Sequence, residues 1–256
     1  MKALVFVHGY LGGGSQWEDQ VSVFGEQFQV ITPDLPGFNG NTQNLTPETI
    51  QGLAMNVFQQ LDELGVHRFH LVGHSMGGMI VQEMVAMIPA RIEKLVLYGT
   101  GPVGLMPGRF ETIEESRAAV REQGVDSTGR RIAATWFRQG ESAQGYDVCA
   151  ELAVKSTEQA ALAGLRAMES WSGVAALADI KSPTLVLWGD SDRAYLWPQP
   201  EQLWHSIKGA QLAVIPGCSH AVHLEKPHLF NATLWDFLAQ RVAIARSDVA
   251  SDVPGG

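Results

Sequence analysis

The stretch Phe69-His70-Leu71-Val72-Gly73-His74-Ser75-Met76-Gly77-Gly78 decides how this chain is read. Phe69 to Val72 is a short apolar run of strand-forming residues. From Met76 onward the apolar side chains fall at helical spacing, at Met76, Met79, Ile80, Met84, Met87 and Ile88, and Pro89 closes the pattern. Between strand and helix stands one serine with a glycine two residues to either side. A G-x-S-x-G turn needs those glycines because a Cβ there would collide with neighbouring backbone, and it holds the serine in a strained conformation that exposes its Oγ. Gly73 and Gly77 fill the two places, which makes Ser75 the candidate nucleophile.

The same alternation continues outward. Short β-rich runs at Ala3 to Val7, Phe28 to Thr32, Lys94 to Tyr98, Thr184 to Trp188 and Gln211 to Ile215 are separated by longer stretches of helical period. That pattern predicts an α/β fold, a mostly parallel sheet flanked by helices. Thr46 and Pro47 offer an N-cap and first-turn proline for a helix whose apolar face runs from Ile50 through Leu64 to a stop at Gly65. From about Gly101 to Ile180 the strands cease and the pattern is helical. An insertion placed after a strand's carboxyl end lies over the edge where such sheets bind ligands, so it is read as a cap, with Gly101 to Gly108 as its hinge. The expected organisation is a core of residues 1–100 and 181–246, a helical cap of residues 101–180 and a flexible tail of residues 247–256.

Composition narrows the function classes. The 256 residues, 45% of them hydrophobic, suffice for one α/β core, and a net charge of -9 repels polyphosphate, which argues against a nucleic-acid partner. Two cysteines, Cys149 and Cys218, are too few for a disulfide framework. The apolar run before His8 is too short for a secretory segment and none is long enough to span a bilayer, so a cytoplasmic protein without a membrane partner is expected. No H-E-x-x-H or C-x-x-C spacing suggests a metal, and no G-x-G-x-x-G or P-loop suggests a nucleotide, so no cofactor is expected.

A serine hydroxyl is a weak nucleophile near neutral pH. It needs a base within hydrogen-bond reach and a third group that fixes the base's tautomer. Both are available downstream: Gly189-Asp190-Ser191-Asp192 follows one strand and Gly217-Cys218-Ser219-His220 follows the last, giving the order serine, acid, histidine.

With His8-Gly9-Tyr10 resembling an HG-x turn and Asp34-Leu35-Pro36-Gly37-Phe38 a D-x-P-G-x turn, the chain as a whole resembles the α/β-hydrolase superfamily. It is most similar to the branch of small esterases, cofactor-free perhydrolases, enol-lactonases and carbon–carbon bond hydrolases. The resemblance selects Asp192 over Asp190 as the acid beside His220, leaving Asp190 to cap the turn. It also implies backbone N–H groups of Tyr10 and Met76 as oxyanion donors. Three departures stand out. The chain starts almost at the HG strand, without the family's antiparallel hairpin, which implies a shorter sheet edge; Phe38-Asn39-Gly40-Asn41-Thr42 carries either an extra residue or Asn in place of the usual glycine; and Ala221 replaces a tryptophan common after the histidine in meta-cleavage-product hydrolases.

The expected activity is therefore that of a serine hydrolase acting on a small carboxylic ester or lactone. Its rivals are a carbon–carbon bond hydrolase of a vinylogous keto acid, which needs a cationic pocket, and a ligand-binding protein on a hydrolase scaffold. Trp136 and Trp171 are candidate substrate contacts in the cap, and Arg130, Arg131 and Arg138 read as a solvated helix face. His8 and Asp34 read as loop-shaping residues, His223 and His228 as surface or capping residues, and Cys218 as buried packing.

Overall fold

The computed structural model describes residues 1–42, 44–105 and 107–240. The strands are β1 (Lys2–Val7), β2 (Phe28–Ile31), β3 (Phe69–His74), β4 (Ile92–Tyr98), β5 (Thr184–Gly189) and β6 (Gln211–Ile215). Each runs within two residues of the expected ends. β3 extends past Val72 because Gly73 and His74 pair with Leu97 and Tyr98 of β4, so tertiary pairing overrides their weak strand propensity. All neighbouring strands are parallel, in the order β2-β1-β3-β4-β5-β6.

That order places the site. The chain leaves β1 for β2 on one side, whereas β3 lies on the other, so the loops after β1 and β3 part at a topological switch point and open a crevice at the carboxyl ends. Gly9 and Tyr10 follow β1, and Ser75 follows β3.

The helices are α1 (Glu18–Phe24), α2 (Ile50–Glu63), α3 (Met76–Met87), α4 (Ile113–Thr135), α5 (Tyr146–Val154), α6 (Glu158–Glu169), α7 (Pro198–Ser206), α8 (Val222–Glu225) and α9 (Pro227–Ala239). Both faces of the sheet are covered. Val5, Val7, Leu71, Leu95 and Leu97 pack with α2 and α3, while the alternate residues Leu4, Phe6, Val72, Val96 and Tyr98 pack with α1 and α9. The expected start of α2 is corrected by one turn. Its N-cap is Thr49, whose Oγ1 accepts from the Gly52 N–H at 3.0 Å, and Thr46 is instead buried with its hydroxyl donating to the Pro36 carbonyl at 2.7 Å.

Between β4 and β5 the chain forms α4, α5 and α6. A capping box between Thr112 and Glu115 starts α4, and Gly124, at φ 79°, breaks it. The segment expected as a hinge is stitched to the returning chain: Val103 bridges Ser172, the Gly104 N–H donates to the Trp171 carbonyl and the Gly173 N–H to the Pro102 carbonyl. The expected tail, residues 247–256, and the last stretch of the expected core lie outside the described residues. No described helix is long and apolar enough to cross a membrane.

Candidate active site

Ser75 sits at φ 59° and ψ -121°, the strained geometry its flanking glycines imply. A Cβ on Gly73 would lie under 3.0 Å from the Gly77 carbonyl, and one on Gly77 under 3.0 Å from the Val7 and His8 carbonyls. The tight packing of β1, β3 and α3 therefore requires glycine at both positions. The Ser75 carbonyl accepts from the Thr100 hydroxyl and the Gly78 N–H, each at 2.8 Å, which fixes the elbow from behind.

His220 and Asp192 come from the turns after β6 and β5. His220 Nδ1 donates to Asp192 Oδ2 at 2.8 Å, and Asp192 Oδ1 accepts from the N–H groups of Ala194 at 2.7 Å and Tyr195 at 3.1 Å. Both groups are buried. With Nδ1 committed as donor, the acceptor lone pair is on Nε2, which is buried without a partner and lines the same cavity as Ser75. Among the described residues neither the Tyr10 N–H nor the Met76 N–H is paired with a backbone acceptor, as the two implied donors require. Asp190 is exposed and turn-bound, its Oδ1 accepting from the Gly217 N–H at 2.7 Å and from the Ser191 hydroxyl at 3.0 Å.

Behind His220 lies a buried network that sequence reading missed. The His220 carbonyl accepts from the Tyr98 hydroxyl at 2.8 Å and from His74 Nε2 at 3.2 Å. His223 Nδ1 lies 3.0 Å from the Tyr98 oxygen, and the Gln16 amide nitrogen reaches His223 Nε2 at 3.3 Å and His74 Nδ1 at 3.5 Å. One assignment satisfies every atom: His223 donates from Nδ1, His74 donates from Nε2, and the Gln16 amide gives one proton to each remaining ring nitrogen. His223 is thus a buried member of the network, not the surface or capping residue expected. It lies on a one-turn helix packed under Trp17, its ring centroid 4.4 Å away, a placement no helical period reveals. His228 is exposed, as read from the sequence.

The network holds only while both histidines are neutral. Burial pushes His223 down to about 3 and, with the charges of His220 and His223, holds His74 well below its ordinary value. A histidine lowered on folding takes up its proton first in the unfolded chain, so stability is complete above the unfolded value, about 6.5, and is lost as pH falls toward the folded one. At pH 5 the shift at His223 alone costs about 2 kcal/mol, and His74 acts in the same direction. Urea denaturation should therefore show a marked fall in stability from pH 7 to pH 5, and an unchanged midpoint would contradict this role.

Two narrow spaces adjoin Ser75. One, about 20 Å³, is lined by Tyr10, Arg109, Trp136, Met168, Tyr195 and His220, among others; the other, about 10 Å³, reaches Gln16, His74 and Cys149. The larger has room for about one water. Trp136 lines both spaces, its ring 6.1 Å from His220. Trp171 does not: its indole N–H donates to Glu83 of α3 at 3.1 Å, and its ring covers Gly173. Trp171, the other expected substrate contact, is not among the described residues that line either space.

The loop-shaping readings fit the geometry. The His8 ring bonds the Gly9 carbonyl at 2.8 Å and accepts from the Leu35 N–H at 3.0 Å; Asp34 Oδ1 accepts from the Gly14 N–H at 2.7 Å and from Asn39, which adopts the left-handed φ of 48°. Cys218 is fully buried, with Sγ 3.3 Å from Glu225. Arg130 pairs with Asp126 and Arg131 with Glu111, away from the cavity. Among the described residues lining it, Arg109 is the one lysine or arginine; it stands on a glycine- and proline-bearing loop and belongs to no motif read from the sequence.

A model of the alpha/beta hydrolase family matches residues 4–233. The chain is 30% identical over 254 residues to 2-hydroxy-6-oxo-6-phenylhexa-2,4-dienoate hydrolase of Comamonas testosteroni, spanning 94% of this chain and 88% of that protein. It is 26% identical over 261 residues to monoacylglycerol lipase abhd6-A of Xenopus laevis, spanning 93% and 75%. Among solved structures, a hydrolase from Pseudomonas aeruginosa PA01 superposes with a TM-score of 0.85 at 26% identity, covering 93% of this chain and 90% of that one. The elbow, the parallel sheet and these matches agree, and the chain belongs to the alpha/beta hydrolase family.

Proposed function

We propose that the protein is a serine hydrolase that cleaves a small carboxylic ester or lactone through an acyl-enzyme on Ser75. The observation that carries this reading is the unpaired His220 Nε2, fixed as an acceptor by Asp192 and facing the cavity of the elbow serine. His220 takes the Ser75 proton as Oγ attacks the carbonyl, and the N–H groups of Met76 and Tyr10 receive the developing oxyanion. Each such donor contributes about 3 kcal/mol to transition-state stabilisation. His220 then protonates the leaving oxygen, and a water activated by the same Nε2 releases the acid. Residues 101–180 act as the cap over this chemistry. The similarity to monoacylglycerol lipase abhd6-A of Xenopus laevis supports ester cleavage.

A second reading, hydrolysis of a carbon–carbon bond in a vinylogous keto acid, draws support from Arg109 in the cavity and from the dienoate named for the Comamonas relative. A panel of aryl esters of rising acyl length, lactones and dienoate keto acids separates the two. The narrow space walled by Trp136 favours short acyl chains. kcat/KM is expected to fall by at least tenfold from short to long aryl esters, a size selection of about 1–3 kcal/mol that Trp136→Ala relaxes. A preference for long chains, or turnover confined to dienoate keto acids, would overturn the small-ester reading.

A further inference from the structure

One residue lining the cavity meets the serine, the histidine and the acid together. The Tyr195 N–H donates to Asp192 Oδ1 at 3.1 Å, and its ring lies over that of His220, centroids 5.6 Å apart and planes 11° off parallel. Its hydroxyl is directed at the hydroxyls of Ser75 and Thr100. The side chain is buried, and the Trp188 indole N–H holds the backbone by donating to the Tyr195 carbonyl at 2.8 Å. Nothing in the roles given to Ser75, His220 and Asp192 calls for a phenol here.

The protons of the three hydroxyls show what it does. The Thr100 proton is spent on the Ser75 carbonyl at 2.8 Å, and the Ser75 proton goes to His220 Nε2 when Oγ attacks. The Tyr195 proton is the one left. Burial pushes that phenol up to about 12, so it keeps its proton and stands beside Ser75 Oγ as a donor. A donor speeds a step only as far as its hydrogen bond strengthens on the way to the transition state. In acylation Oγ starts as a hydroxyl, already a good acceptor, and the bond gains little. In deacylation it starts as the ester oxygen of the acyl-enzyme, a poor acceptor, and leaves as a developing alkoxide, so the bond strengthens as C–Oγ breaks.

We propose that Tyr195 is a further catalytic residue, whose hydroxyl donates to Ser75 Oγ as that oxygen leaves the acyl group and so speeds deacylation. The inference rests on the acyl-enzyme reading of Ser75. Water gives a proton to His220 Nε2 as its oxygen bonds the acyl carbon; the C–Oγ bond then breaks, and His220 returns the proton to Oγ. Tyr195 keeps its own proton throughout. Its ring, stacked on His220, fixes the plane of the imidazole during both transfers.

The test is pre-steady-state hydrolysis of 4-nitrophenyl butyrate by Tyr195→Phe, which keeps the ring, its stack and the N–H on Asp192 and loses one oxygen. Deacylation is expected to slow by about 10- to 100-fold, the loss of one hydrogen bond to a charged oxygen. Acylation changes little, so nitrophenolate should appear as a burst of about one equivalent per active site, with kcat and KM falling together and kcat/KM within about threefold of the parent. Tyr195→Leu, which lacks the ring as well, should show the same burst with a lower kcat/KM. A tyrosine that served packing alone would give no burst in either variant, with kcat/KM falling alongside kcat or both unchanged, and that result overturns the proposal. If the parent carries an acyl group on Ser75 and both variants shed it at the parent's rate, the phenol has no part in deacylation and the serine mechanism stands. If the parent takes neither an acyl group nor a fluorophosphonate on Ser75, both fall.

Discussion

Ser75→Ala is expected to lower kcat/KM on any hydrolysed ester by about 10⁵-fold or more, because the variant keeps the fold and the oxyanion donors but has no oxygen to form the acyl-enzyme. The side chain contributes little to stability. The elbow is held by the Thr100 hydroxyl and the Gly78 N–H on the Ser75 carbonyl, both of which alanine preserves. Thermal unfolding should therefore match the parent within a few degrees, while steady-state rates fall to background. A residual rate within a hundredfold of the parent would remove Ser75 from the chemistry.

The second large effect concerns the acid. Asp192 Oδ1 is claimed by two backbone N–H groups, so in Asp192→Asn the amide must keep its oxygen there and turn its NH2 toward His220. His220 Nδ1 then has to accept, its proton moves to Nε2, and the nitrogen facing Ser75 can no longer take a proton. A loss of about 10⁴-fold in kcat follows, with little change in KM. Asp190→Asn leaves the His220 tautomer untouched, because Asp190 bonds only the turn from Gly217 to Cys218 and Ser191. Its rate should stay within tenfold of the parent. Stopped assays on the two purified variants decide the matter, and a reversal of their ranking would move the acid to Asp190.

Much of this was legible in the sequence because it depends on local chemistry. The six strands announce themselves by β-rich runs, and the elbow by glycines at Gly73 and Gly77 that the packing of β1, β3 and α3 leaves no alternative to. The residues that escaped are those whose role depends on which distant segments meet. Arg109 belongs to no motif read from the sequence, and only the fold places it among the residues lining the cavity at Ser75. Tyr195 and Met168 carry no motif, yet the turn after β5 and the end of α6 bring them to the same cavity. His223 resembles a helix-entry residue, and only the docking of α8 beneath Trp17 and against Gln16 makes it a neutral buried partner of His74. Conversely Trp171, as apolar and aromatic as Trp136, is not among the described residues lining the spaces at Ser75 and donates its indole N–H to Glu83.

The most direct test of the account is to trap the covalent intermediate. Rapid quenching of the enzyme during turnover of a short aryl ester, followed by intact-mass and peptide analysis, should show one acyl group added to the peptide that holds Ser75 and none in Ser75→Ala. The adduct should accumulate in Asp192→Asn only at the reduced rate of that variant. Turnover of the same ester with no adduct at Ser75, or with an acyl group on another residue, would contradict the proposed mechanism.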